Sequence, residues 1–101
     1  MVEIIEYPAF RRWLTGLKDK TARGVIVRRL MRLTAGNFGD AKAVGEGVSE
    51  LRIHYGPGFR VYFARKDDKL VLLLGGGDKA TQDTDIRNAI ALLADINRNE
   101  A

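Results

Sequence analysis

The chain contains no cysteine, so neither a disulfide framework nor a thiolate zinc site can form. Its single histidine, His54, leaves no second imidazole for a conventional protein-only metal site. No apolar run approaches the roughly 20 residues needed to span a bilayer. Glu3 and Glu6 interrupt the N-terminus where a signal peptide needs a basic start and an apolar stretch. No carboxylate cluster suited to magnesium stands out either. These absences predict a cytoplasmic chain with no membrane segment, no metal and no cofactor. At 101 residues it reads as one domain, residues 1–101, large enough for a single core.

What is present is a globular composition, 46% hydrophobic and 30% charged. The net charge is +4, but the cations are unevenly placed. Residues 1–34 hold eight basic and three acidic side chains, and the rest of the chain is close to balanced. Arg23, Arg28, Arg29 and Arg32 carry much of the excess. A basic face of this kind suits a phosphate backbone or an acidic protein partner, and it is equally compatible with a solvated helix surface.

Two periodicities divide the chain. Val2 to Tyr7 is rich in β-formers and reads as a strand, and Pro8 then suits the first turn of a helix. Phe10, Trp13, Leu14 and Leu17 form one apolar helical stripe. A second helix follows with Ala22, Val25, Ile26, Leu30 and Leu33 inward and the arginines outward, stopped at Gly36-Asn37-Phe38-Gly39. Beyond it the period becomes two. Asp40 to Val44 reads as a short strand, and residues 50–55 and 59–63 place apolar side chains at odd positions, as half-buried strands do. Gly56-Pro57-Gly58 joins those two as a hairpin. Leu70 to Leu74 reads as a strand buried on both faces, ended by Gly75-Gly76-Gly77, and Thr81 to about Asn97 as a last helix. The fold class is therefore α+β, in the order β-α-α-β-β-β-β-α. An antiparallel sheet packs against an N-terminal helical hairpin and a C-terminal helix.

A three-residue closure at 56–58 pairs Tyr55 with Phe59, His54 with Arg60 and Arg52 with Tyr62. Four polar or cationic side chains then share one face. Guanidinium groups can stabilise a pentacovalent phosphate. Imidazole can move a proton near neutral pH. Tyrosine can stack on a base. Arg52, His54 and Arg60 are thus the candidate catalytic residues. Tyr62, Lys79, Arg28, Arg29 and Arg32 are the candidate RNA-binding ones. Each also has a plain structural reading: His54 as ordinary surface, Tyr62 packed over the sheet, Arg52 and Arg60 paired with Glu50 or a helix carboxylate, Lys79 solvated. The Gly75–Thr81 stretch lacks the spacing of a phosphate-binding loop.

The stretches VSELRIHYGPGFRVYF and LVLLLGGGDKATQDTDIRNAIALL resemble toxins of the RelE/ParE superfamily, especially the HigB-like, phage-derived addiction-module-killer branch. The likeness runs from Phe10 to Leu93. It implies a RelE-like fold and a type II toxin acting as a ribosome-dependent, metal-independent mRNA endoribonuclease. The implied partners are the ribosome, mRNA and a cognate antitoxin, usually of helix-turn-helix type. Carried across, Arg52 and His54 fall on the basic strand positions before the Gly-Pro-Gly turn, and Arg60 falls on the phosphate-binding arginine. Lys79 lies near a basic position after the last strand. His54 stands where a lysine is common, and Ala80, Thr81 and Gln82 where a tyrosine or second histidine often lies. ParE-type relatives of the same fold inhibit DNA gyrase without catalysis, and a toxin remnant acting in repression is a third reading.

Overall fold

A computed structural model describes residues 1–100. The elements are β1 (Glu3–Glu6), α1 (Pro8–Gly16), α2 (Lys20–Thr34), β2 (Ala41–Gly45), β3 (Val48–Ile53), β4 (Phe59–Asp67), β5 (Leu70–Asp78) and α3 (Gln82–Glu100). The architecture is α+β, a five-stranded sheet with three helices and a C-terminal helix last. A 3-10 turn at Lys79–Thr81 intervenes between β5 and α3.

Local chemistry sets the helix starts. Pro8 occupies the first turn of α1, where its missing N–H costs nothing. Asp19 caps α2, its carboxylate accepting from the backbone N–H of Thr21 at 2.9 Å and Ala22 at 3.1 Å. Asp78 caps the 3-10 turn in the same way, accepting from Ala80 and Thr81.

The strand order is β1-β5-β4-β3-β2. The sheet is mixed rather than antiparallel throughout, because β1 lies parallel to β5. The chain leaves β1, crosses one face as α1 and α2, and enters the opposite edge at β2. Successive antiparallel turns then bring β5 back alongside β1 in the same direction.

Both faces of the sheet are covered. On one, Leu51, Ile53, Val61, Phe63, Val71 and Leu73 meet Phe10 and Leu14 of α1 and Ala22, Ile26, Leu30 and Leu33 of α2. On the other, Val48, Tyr62, Ala64, Leu72 and Leu74 meet Ala89 and Leu93 of α3. Cutting a fully buried leucine such as Leu72 to alanine costs about 2–5 kcal/mol in sites of this kind. The central strand β4 is therefore no half-buried strand. Its even positions, expected to be open, lie under α3, and Tyr62 is fully buried.

Two expectations about register need correction. The β3–β4 pairs are Ile53 with Phe59, Arg52 with Arg60 and Glu50 with Tyr62. The connection uses residues 54–58, tightened by bonds from Tyr55 N to Ile53 O and from Gly58 N to Tyr55 O, so Phe59 meets Ile53 instead of Tyr55. A slip of two preserves facing parity, so the core assignment survives while the polar partners change. The glycine run does not end β5, which continues to Asp78. Leu74 is the extra residue of a bulge there, since Tyr62 pairs with Gly75 but Phe63 with Leu73. Beyond the bulge, Gly76 lies beneath the Trp13 indole, and Gly77 lies beneath Thr81 and Asp85. A Cβ at either position would collide with them.

Candidate active site

Polar side chains gather at the end of the sheet where β2 begins and β3 ends. Asp40 precedes β2, Arg52 is near the end of β3, and His54 lies just past it. The backbone N–H of Arg52 donates to the Asp40 carbonyl at 2.9 Å, which fixes the two residues side by side. Arg52 Nε and Nη2 both donate to Asp40 Oδ1, at 3.1 and 2.8 Å. His54 Nε2 lies 2.6 Å from the other oxygen, Oδ2. One carboxylate thus holds both candidate groups. The side chains are 34% exposed for Arg52, 36% for Asp40 and 75% for His54, so the cluster is open to a ligand. The hydrogen bond with His54, and next those from Arg52, hold the Asp40 carboxyl below its usual range. It is an anion at neutral pH.

The cluster opens onto a cleft of about 810 Å³. The far wall is α2, contributing Val25, Arg28, Arg29, Met31 and Arg32. Arg28 and Arg32 are exposed and point positive charge at the cleft. Arg29, expected to face outward with them, does not. It is 9% exposed and ties the cleft together, donating from Nη1 to the Phe38 carbonyl and from Nη2 to the Arg52 carbonyl, each at 3.2 Å. Burial, then the neighbouring Arg32, lowers its pKa from the ordinary value. Gly39 is required beside it: its φ is +62°, and a Cβ there would come within 2.6 Å of Arg29 Nη1.

The remaining candidates lie apart from the open cluster. Arg60 is the cross-strand neighbour of Arg52, yet its side chain is only 12% exposed. Its Nη1 donates to the Gly58 carbonyl at 3.0 Å, and its Nε lies 3.8 Å from Oε2 of the buried Glu50. Glu50 also accepts from Gln82 Nε2 at 2.9 Å, so this second cluster locks β3 and β4 to α3. Tyr62 is not available to stack on a base in this arrangement, because α3 covers it. Among the described residues neither its hydroxyl nor Arg60 Nε has a hydrogen-bond partner. Burial, with the negative charge of Glu50 next, raises the Tyr62 pKa. Lys79 is exposed at the entrance to α3 beside Arg87, and its Cβ approaches Gly58 on the Arg60 side. Among the described residues, no three His, Asp or Glu side chains come together as a metal site would require.

The sequence reading missed Asp40. An acid opening a strand whose hairpin neighbour carries Arg-x-His is a usable signal. It fails as arithmetic because a bulge between Ala43 and Gly45 shifts the β2–β3 register by one.

This geometry, an acid-clamped histidine and arginine facing a basic helix, belongs to a chain with recognisable relatives. The family model described as "Phage derived protein Gp49-like (DUF891)" matches residues 12–94. The chain belongs to this family. The family is of the addiction-module toxin type within the RelE-like superfamily, and a toxin of that type implies a cognate antitoxin. The chain is also 48% identical over 87 residues to an uncharacterized protein of Haemophilus influenzae, covering 86% of this chain and 88% of that protein. The Gp49-like match includes every residue of the cleft and of the Asp40 cluster. No helix among the described residues is long and apolar enough to cross a membrane.

Proposed function

We propose that this Gp49-like protein is the toxin of a type II toxin–antitoxin pair and cleaves messenger RNA on the ribosome. The observation that carries the reading is the Asp40–Arg52–His54 cluster, which opens onto a cleft walled by the exposed Arg28 and Arg32. A RelE-like fold and the HigB-like branch belong to the same proposal, supported by the family and by the helical hairpin, sheet and final helix.

The chemistry follows from the groups. His54 Nδ1 takes the proton of a ribose 2′-hydroxyl. The 2′ oxygen forms a bond to phosphorus, and the bond from phosphorus to the 5′ oxygen breaks. The proton passes to that leaving oxygen, giving a 2′,3′-cyclic phosphate and a 5′-hydroxyl. Arg52 neutralises the charge that builds on the phosphate oxygens in the transition state. Arg28 and Arg32 hold flanking phosphates, and Lys79 extends the basic surface past Gly58. Arg29 frames the cleft. Arg60, paired with the buried Glu50, braces the strand behind Arg52. The side chains supply both proton transfer and charge stabilisation.

Inducible expression in bacteria with mapping of mRNA 5′ ends tests this. New ends in phase with codons, lost in His54→Ala and Arg52→Ala, are the expected outcome. Growth arrest with intact mRNA and DNA damage moves the assignment to a gyrase inhibitor. Unimpaired growth leaves a protein that acts only with its antitoxin in repression.

A further inference from the structure

We propose that Asp40 is the positioning residue of this site: its one carboxylate orients His54 and Arg52 together and decides which edge of each is offered to the substrate. The inference rests on the ribonuclease reading above for its consequence, though not for its geometry. The two oxygens are divided between the two partners. Oδ1 takes both Nε and Nη2 of Arg52, so Nη1 is the corner turned toward a phosphate. Oδ2 takes His54 Nε2 at 2.6 Å. A carboxylate held ionised can only accept, so Nε2 carries a hydrogen, and the neutral form of the ring has its bare lone pair at Nδ1. That is the form a general base needs.

The clamp is itself anchored. Asp40 is held in the ladder by the bond from Arg52 N to its carbonyl. The preceding Gly39 rests on the Arg29 guanidinium, which also binds the carbonyls of Phe38 and Arg52. Backbone on both sides of the carboxylate is therefore fixed by one buried arginine. His54, at 75% exposure and beyond the end of β3, has few other contacts to order it. An imidazole so exposed samples several rotamers unless something holds one ring nitrogen. Asp40 supplies that hold, converting a mobile surface histidine into a directed base.

Two measurements on the full chain test this. In ribosome-dependent cleavage of a defined mRNA, Asp40→Ala lowers kcat by at least about 10-fold, within the range a general base contributes. Binding of the same mRNA with 2′-deoxy substitution at the cleaved position changes by less than about two-fold, since the cleft arginines remain. Asp40→Glu recovers part of the rate, and in a His54→Ala background the Asp40→Ala loss shrinks. The second measurement needs no RNA. Because the chain has one histidine, the 15N imidazole spectrum reports His54 alone. In the neutral form of the ring the native protein shows the 15N shifts of a hydrogen-bonded Nε2–H and a bare Nδ1, and Asp40→Ala loses the hydrogen-bond signature at Nε2. An unchanged kcat with an unchanged spectrum overturns the proposal. So does a loss that multiplies fully with His54→Ala. If the native protein cleaves no mRNA, the ribonuclease reading falls and the spectrum alone decides whether Asp40 positions the ring.

Discussion

Arg52 and Arg60 are the same residue type, paired across adjacent strands and pointing to the same face of the sheet. Their surroundings differ in one respect, the position of α3. Arg52 lies beyond its reach, meets the half-exposed Asp40, and keeps a corner for a ligand. Arg60 lies under it, beside a Glu50 that is 2% exposed and bonded to Gln82 of that helix. Burial makes the difference between a group that binds and a group that braces. An exposed ion pair contributes little to stability because water screens it and competes for both partners. A buried one is costly to break because its surviving partner is left uncompensated in a medium of low dielectric.

The largest effect expected from this contrast is on stability. Arg60→Ala leaves Glu50 buried without its cation and lowers unfolding free energy by about 3–5 kcal/mol. Arg52→Ala leaves the urea midpoint essentially where it was, so equal midpoints for the two variants would abolish the distinction. Activity runs the other way. His54→Ala lowers the rate of mRNA cleavage by about 10²- to 10⁴-fold with an unaltered melting curve, and retained cleavage would remove His54 from the chemistry. Loss of cleavage in Arg60→Ala has to be read against folding, whereas loss in Arg52→Ala does not.

A smaller effect is expected at Tyr62, next to Glu50 across the ladder. Its hydroxyl is buried without a partner, so Tyr62→Phe removes an uncompensated polar group and stabilises by up to about 1 kcal/mol. A variant that is more stable yet inactive would show that α3 moves aside during turnover. The smallest effect is the pH dependence of Asp40. Its folded pKa is depressed, so its contribution to stability is present above the ordinary carboxylate range, near pH 4, and is lost as pH falls through the lowered value. Native and Asp40→Asn proteins should therefore differ slightly at neutral pH and converge in acid, as read by urea titrations at several pH values.

Much of the scaffold was legible from periodicity. The helical stripe through Phe10, Leu14 and the α2 positions Ala22, Ile26, Leu30 and Leu33 is buried as its spacing implied. Leu51 and Ile53 of β3 and Phe59, Val61 and Phe63 of β4, all odd-numbered, face the helical hairpin. The candidate site was legible in residue type more than in arrangement. His54 and Arg52 share a site, but through Asp40, which no spacing rule connected to them. Arg29 shared the helical pattern of its neighbours and still turned inward, because the carbonyls of Phe38 and Arg52 gave its guanidinium partners. Tyr62 alternated like an exposed residue because alternation reports one covered face and says nothing about a second layer.

The sequence by itself determined the elements, their amphipathic faces, the basic character of α2 and the presence of one histidine among arginines. Those are local properties, set by side-chain chemistry at fixed periods along the chain. The tertiary structure decided which strand neighbours meet, because connection length and bulges set register. It decided which arginine stays wet, because only the docking of α3 determines where water is excluded. The same separation of a braced Arg60 from an open Arg52 follows from that single packing event.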